Sequence, residues 1–265
     1  MPLTRAARTA ALLLVLPTLA LSAGCEKKTD NAIKESAPPT AASAKPVEAA
    51  SVRFLVQPAG KASILIDAPL EKIKGETNVL GGTLDVNPMD LMKATGEVTA
   101  DLSVFTTTTF GDKSKDEQQT EHARNWFELG EKVPDQARAD YKLARFSLKK
   151  VTKAEPAKLA DAKDEGGKRK VRITAEGTIR VHGREAPKTI TLDVTFTGPA
   201  DAPNGIQFNT VEPVPVSLSE HDVKPRDNVG SFLNGALEKV GKKIDDKVQV
   251  TIGGEAMAAP AKPKN

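Results

Sequence analysis

The sequence predicts a mainly β, antiparallel fold interrupted by two short helices. Three features of the 265-residue chain carry that expectation: strict alternation of apolar and polar residues, a turn signal joining two long alternating runs, and helix signals confined to two segments. Of the residues, 39% are hydrophobic and 28% charged, which suits one globular domain with flexible attachments.

The alternation is clearest in the middle of the chain. Glu97 to Val104 sets Val98, Ala100, Leu102 and Val104 on one face, opposite Glu97, Thr99, Asp101 and Ser103. Lys170 to His182 does the same with Val171, Ile173, Ala175, Gly177, Ile179 and Val181, and as a strand would reach about 40 Å. The signal His182-Gly183-Arg184-Glu185-Ala186-Pro187 turns the chain, and a further strand then directs Ile190, Leu192, Val194 and Phe196 inward, so that the two runs form a long hairpin. Shorter candidates are Val52 to Gln57, Ser63 to Asp67, Thr77 to Val86, Tyr141 to Val151, Gly205 to Thr210, Val214 to Ser219 and Lys247 to Ile252. These strands suffice to close a barrel or to build a sandwich.

Ser114 and Glu117 have the spacing of a capping box, with Gly130 as the stop of that helix. The second helix follows from Val229, Phe232, Leu233, Ala236, Leu237, Val240 and Ile244, which recur at three- and four-residue spacing. Asn87 to Met92 reads as a single helical turn with Asn87 as cap and Pro88 in first position. Lys153 to Arg169, with Gly166-Gly167, reads as a solvated loop.

The N-terminus is a separate matter. Arg5 and Arg8 precede an apolar run, Ala10 to Leu21, that is too short to span a bilayer and has the build of a secretory signal. It ends in Leu21-Ser22-Ala23-Gly24-Cys25, which resembles the bacterial lipobox, in which small residues precede a cysteine that becomes the acylated first residue. Cleavage after Ser22 is the competing reading. The expected organisation is a signal peptide over 1–24, a tether over 25–50 after lipidated Cys25, a folded domain over 51–257 and a frayed tail over 258–265. The tether stretch has only Ile33 and Val47 as large aliphatics and cannot bury enough apolar surface to order itself. Two or three acyl chains, each buried methylene contributing about 0.8 kcal/mol, would hold the protein on a membrane without a spanning helix.

Composition excludes several functions. Thirty-eight Lys and Arg against 35 Asp and Glu is no nucleic-acid footprint. A single Cys leaves no intramolecular disulfide and no Cys-rich metal site. His122, His182 and His221 are far apart in sequence and carry no metal-binding motif; they read as exposed or hydrogen-bonding residues. No nucleophile elbow, phosphate loop or dinucleotide fingerprint occurs, and the expectation is a protein that is not an enzyme, with no metal and no cofactor.

The run Glu176 to Val194, a strand, a His-Gly turn and a second strand, resembles the YceI-like family of bacterial periplasmic lipid-binding proteins. So does Glu121-His122-Ala123-Arg124-Asn125-Trp126-Phe127, preceded by Asp116 and followed by Pro134, although Asn125 stands where the family has an acid. Ile244 to Ile252, ending at Glu255-Ala256, is similar to its closing strand. The resemblance implies a lipocalin-like antiparallel β-barrel whose apolar interior holds a polyprenyl or other long-chain lipid. The candidate lining is then Val98, Ala100, Leu102 and Val104 on one strand; Ile173, Ala175, Ile179 and Val181 on another; Leu192, Val194 and Phe196 on its partner; and Phe208 beyond. Small inward residues such as Ala100, Ala175 and Gly177 are expected to leave space, and about ten buried methylenes would suffice for micromolar affinity before binding costs. Trp126 and Phe127 are either a gate to that interior or a packing anchor.

Two functions fit. One is a carrier or sequestering protein for a polyisoprenoid, anchored by Cys25 and facing the periplasm. The other is a non-enzymatic interaction lipoprotein with a filled barrel and an unidentified protein partner. A hydrolase would need convergent polar groups that the sequence does not announce.

Overall fold

In the computed structural model, residues 51–67, 72–223 and 246–260 are described. The expected leader, Cys25, the tether and the 229–244 helix lie outside them. The strands are β1 (Val52–Val56), β2 (Ala59–Asp67), β3 (Lys72–Val86), β4 (Thr95–Asp101), β5 (Thr106–Thr107), β6 (Leu143–Glu155), β7 (Lys168–Val181), β8 (Arg184–Thr197), β9 (Gly205–Thr210), β10 (Val214–Ser217) and β11 (Lys247–Ala258). Two helices, α1 (Lys113–Trp126) and α2 (Asp135–Tyr141), sit between β5 and β6.

Every pairing between these strands is antiparallel. β2, β3, β4, β6, β7, β8 and β9 follow one another across the sheet, and β11 pairs with both β2 and β9, so the sheet returns on itself as an eight-membered ring. Closure removes the sheet edges that an open sheet would expose. β1 prolongs β2 along the same two neighbours, β3 and β11, and β10 prolongs β9 along β11. Pro58, which has no N–H to give the ladder, falls in the break between β1 and β2.

The long hairpin is present, but its turn is tighter than the sequence suggests. Lys168 to Val181 pair residue for residue with Thr197 to Arg184, leaving His182 and Gly183 alone to turn the chain. Both have positive φ, 49° and 74°, the conformation of a type I′ turn whose twist matches the strands. Arg184 to Pro187 therefore belong to β8.

Other expectations are corrected. The cap of α1 is Asp112, whose side chain accepts from Lys115 N at 3.0 Å; Ser114 is already helical. The helix stops before Gly130: Leu129 N donates to Arg124 O and Glu128 N to Asn125 O, with Glu128 at φ 55°, a Schellman arrangement. Asn87 accepts from Met89 N in a turn, while Asp90 caps the short 3-10 turn Leu91–Lys93. Lys153 to Arg169 is not a solvated loop throughout. β6 runs to Glu155, and Leu159 is fully buried on a second 3-10 turn. These two turns brace each other, Leu91 N donating to Ala157 O and Leu159 N to Pro88 O, both at 2.9 Å. Leu91 and Leu159 thereby plug one end of the barrel. Tyr141 ends α2 instead of opening β6, and Ala258 closes β11 instead of beginning a tail, with Ala259 N donating to Arg53 O at 2.7 Å.

The outer surface is stitched by cross-strand ion pairs. Arg172 faces Asp193 between β7 and β8 at 2.8 Å, and Arg53 faces Asp85 between β1 and β3 at the same distance. The guanidinium of Arg172 holds the Asp193 carboxyl below the usual carboxylate range.

Candidate functional site

The interior is not uniform along the barrel. Toward the plug, Phe54, Val151, Val171, Phe196, Phe208 and Ala256 pack into a continuous core. Toward α1 and β10 lies a cavity of about 140 Å³ with almost wholly apolar walls. Val98, Phe146 and Ile179, in register across β4, β6 and β7, form one side of it. Val214 and Val216 of β10 with Val248 and Val250 of β11 form another.

The sequence-named residues divide between the two regions. Val98, Ala100, Leu102, Ile179 and Val181 line the cavity. Ile173, Ala175, Val194, Phe196 and Phe208 are buried in the packed core, and half-buried Leu192 packs against it. Val104 faces neither. β4 ends at Asp101, whose carboxylate accepts from Ser103 N at 2.8 Å and starts a 3-10 turn; the alternation breaks there and Val104 is 41% exposed. Gly177 leaves no space either, because the Phe146 ring lies across it.

Trp126 and Phe127, at the end of α1, have different surroundings. Both belong to a second buried cluster with Leu102, Leu129, Leu218 and Val223. Phe127 also reaches the cavity wall, where its ring meets Phe105 edge-on at 6.1 Å; Trp126 does not line the cavity.

Sequence reading missed the part of the wall that follows β10. Leu218, His221 and Val223 all line the cavity. Their segment is a turn, with His221 N and Val223 N both donating to Leu218 O, so the strand expected over Val214 to Ser219 ends at Ser217 and the chain folds back over the cavity. Asp246, just before β11, fixes this turn. Its carboxylate accepts from Ser219 N at 2.7 Å, from Ser219 Oγ at 3.0 Å and from Ser217 Oγ. The Ser217 hydroxyl foremost, and then the Ser219 donors and the charge of Lys247, hold the Asp246 carboxyl below its ordinary range against the opposing effect of burial. His221 itself is 1% exposed, with Nδ1 at 2.9 Å from Arg184 O.

The remaining histidines are elsewhere. His122 lies on α1, and His182 sits at the β7–β8 turn beside Glu128 and under the Tyr141 ring, 4.2 Å between centroids. Among the described residues no group of three His, Cys, Asp or Glu side chains is placed to hold a metal ion. No described helix is long and apolar enough to cross a membrane.

A closed, antiparallel, lipocalin-like barrel of eight strands belongs to a class of folds whose interior is either filled by side chains or wide enough for one small ligand. The chain belongs to the YceI-like domain family, whose model matches residues 48–256. Among solved structures it is similar to a polyisoprenoid binding domain from Saccharophagus degradans implicated in plant cell wall breakdown, at 13% identity, covering 79% of this chain and 99% of that one with a TM-score of 0.49. It is also similar to Burkholderia cenocepacia BcnA, at 18% identity over 76% of this chain and 99% of that one, TM-score 0.45. A third similar structure is the Campylobacter jejuni YCEI protein, at 16% identity over 70% and 84%, TM-score 0.37. No curated protein matches the sequence significantly.

Proposed function

We propose that this protein binds a long-chain apolar amphiphile of the polyisoprenoid type within its barrel, and that it carries or sequesters that lipid as a Cys25-anchored protein facing the bacterial periplasm. The observation that carries the reading is the apolar cavity in the α1 half of the barrel, set against a packed half. Membership of the YceI-like family supports it. An apolar void of roughly 150 Å³ stays dry and admits a molecule the size of benzene, so one end of a prenyl chain fits and a longer stretch requires wall side chains to move.

The packed half favours a second reading, an interaction lipoprotein that works through its outer face. The cavity is also smaller than the roughly 300–1,000 Å³ of typical small-molecule sites. Mass spectrometry of an organic extract separates the two, using the full chain with Cys25→Ser exported to the periplasm so that no acyl chain is attached to the protein. A stoichiometric long-chain species is expected. A clean extract, together with no uptake of added polyprenol or quinone, would overturn lipid binding.

A further inference from the structure

The ring of strands closes through β9, but only over part of its height. β8 pairs with β7 along its full length, whereas on its other side only residues 192–197 pair with β9. Beyond that point β10 prolongs β9, and Val214 to Ser217 pair with β11 alone. Among the described residues no backbone hydrogen bond joins residues 184–190 of β8 to β10. The seam between these two edges borders the cavity, since Ile190 on one side and Val214 and Val216 on the other line it.

Proline keeps the seam from forming a ladder. Val211 N donates to Thr191 O, which marks the odd-numbered residues of β8 as those whose backbone groups point away from β7, and Pro187 is one of them. On β10, Leu218 N donates to Asp246 O, so the even-numbered residues face β11 and Pro215 turns its nitrogen toward the seam. Neither nitrogen carries a hydrogen to give.

Side chains hold the seam shut instead. Lys188 Nζ lies 3.5 Å from Glu220 Oε2, Arg184 Nη2 lies 3.6 Å from Asp222 Oδ2, and His221 Nδ1 donates to Arg184 O at 2.9 Å. All three contacts run from β8 to the turn after β10, whose Leu218 and Val223 line the cavity. Elsewhere the wall is tied through its main chain. β2, β3, β4, β6 and β7 share ladders, and at the α1 end Leu102 N donates to Lys142 O at 2.7 Å and Thr107 N to Thr120 Oγ1 at 2.9 Å. Parting a ladder strands backbone groups in an apolar interior, whereas parting an ion pair at the surface hands both charges to water and costs little.

We propose that the β8–β10 seam is the entrance of the cavity: the turn after β10 swings away from β8, and a slender apolar chain passes sideways between the two strands. This inference rests on the lipid-binding reading and adds the route by which the lipid enters and leaves.

The test uses the full chain with Cys25→Ser, which leaves no other thiol, and follows exchange of radiolabelled farnesol. Lys188→Cys with Glu220→Cys places two thiols across the seam, and a short bismaleimide then links them. Cross-linked empty, the chain should take up no farnesol on the timescale of the unlinked double variant; cross-linked after loading, it should retain what it holds. Glu220→Gln should speed uptake and release alike, about two- to fivefold for one partly exposed ion pair, with affinity within about twofold, because the pair closes the seam over the empty and the filled cavity equally. Exchange as fast with the cross-link as without it would overturn the proposal and leave lipid binding standing. A cross-link that blocks uptake but lets bound farnesol out would mean that the spacer merely fills the cavity, and would equally overturn it. Failure of the chain to bind farnesol before any cross-link would overturn it together with the lipid-binding reading. If the double variant does not fold, Glu220→Gln decides, and unchanged rates in that variant would overturn the seam as the entrance.

Discussion

The Phe146 ring lies directly across Gly177 on the neighbouring strand: a Cβ added to Gly177 would stand 2.6 Å from Phe146 Cζ and 2.3 Å from the Ser147 carbonyl oxygen. The carbonyl is backbone and cannot withdraw easily, and the ring can move only into the cavity that it lines. Gly177→Ala should therefore destabilise the protein by about 1–3 kcal/mol, the usual result of overpacking a core. Urea unfolding would show a lower midpoint with an unchanged slope; an unaltered midpoint would mean that the ring moves aside at little cost. Gly75 stands in the same relation to Phe105, 2.0 Å from Cζ, and Gly75→Ala should behave alike.

These pairs show what the sequence could and could not convey. Alternation located every long strand, because a strand with one wet face must repeat with period two. Val98, Ile179 and Phe196 were legible as inward-facing for that reason. Whether an inward residue meets empty space or a neighbour is decided across strands, by residues dozens of positions apart, and Gly177 carries no local mark of the ring that covers it. His221 was illegible for a related reason: its burial follows from Asp246 and Arg184, each more than twenty positions away, which fix its turn and its ring. α2 was missed because Asp135 to Tyr141 has no buried residue and hence no apolar period to detect.

The Asp246 clamp should make stability depend on pH in a definite direction. Its carboxyl is held low in the fold, so the contribution is complete above the ordinary carboxylate value near 4 and is lost as pH falls through the lower folded value. Because Asp246 is exposed, the effect should be small, at most about 1 kcal/mol. Asp246→Asn should lower the urea midpoint at about pH 7, with the gap to wild type closing toward about pH 3. A gap that stays constant over that range would show that the carboxylate charge contributes nothing.

The anchor proposed at Cys25 can be checked by fractionation. The wild-type chain, expressed in a bacterium that acylates lipobox cysteines, should sediment with membranes and give an N-terminal peptide beginning at an acylated Cys25. Cys25→Ser should move the protein to the soluble periplasmic fraction. Wild-type protein found soluble, with an unmodified N-terminus at Ala23, would instead identify cleavage after Ser22.

Val98 and Ile173 both point into the barrel, yet they should respond in opposite ways to substitution, because one lines the cavity and the other the packed core. Val98→Phe adds a ring where about 140 Å³ is free, so it should abolish uptake of farnesol while changing stability by less than about 1.5 kcal/mol. Ile173→Ala removes volume from a region with none to spare, and should cost about 2–5 kcal/mol while leaving affinity within about twofold, since no ligand surface is touched. Measuring unfolding and farnesol binding on both variants tests the division of the interior itself. If Val98→Phe bound farnesol normally, the ligand would have to lie elsewhere; if Ile173→Ala lost binding while still folded, the packed half would have to open when the lipid enters.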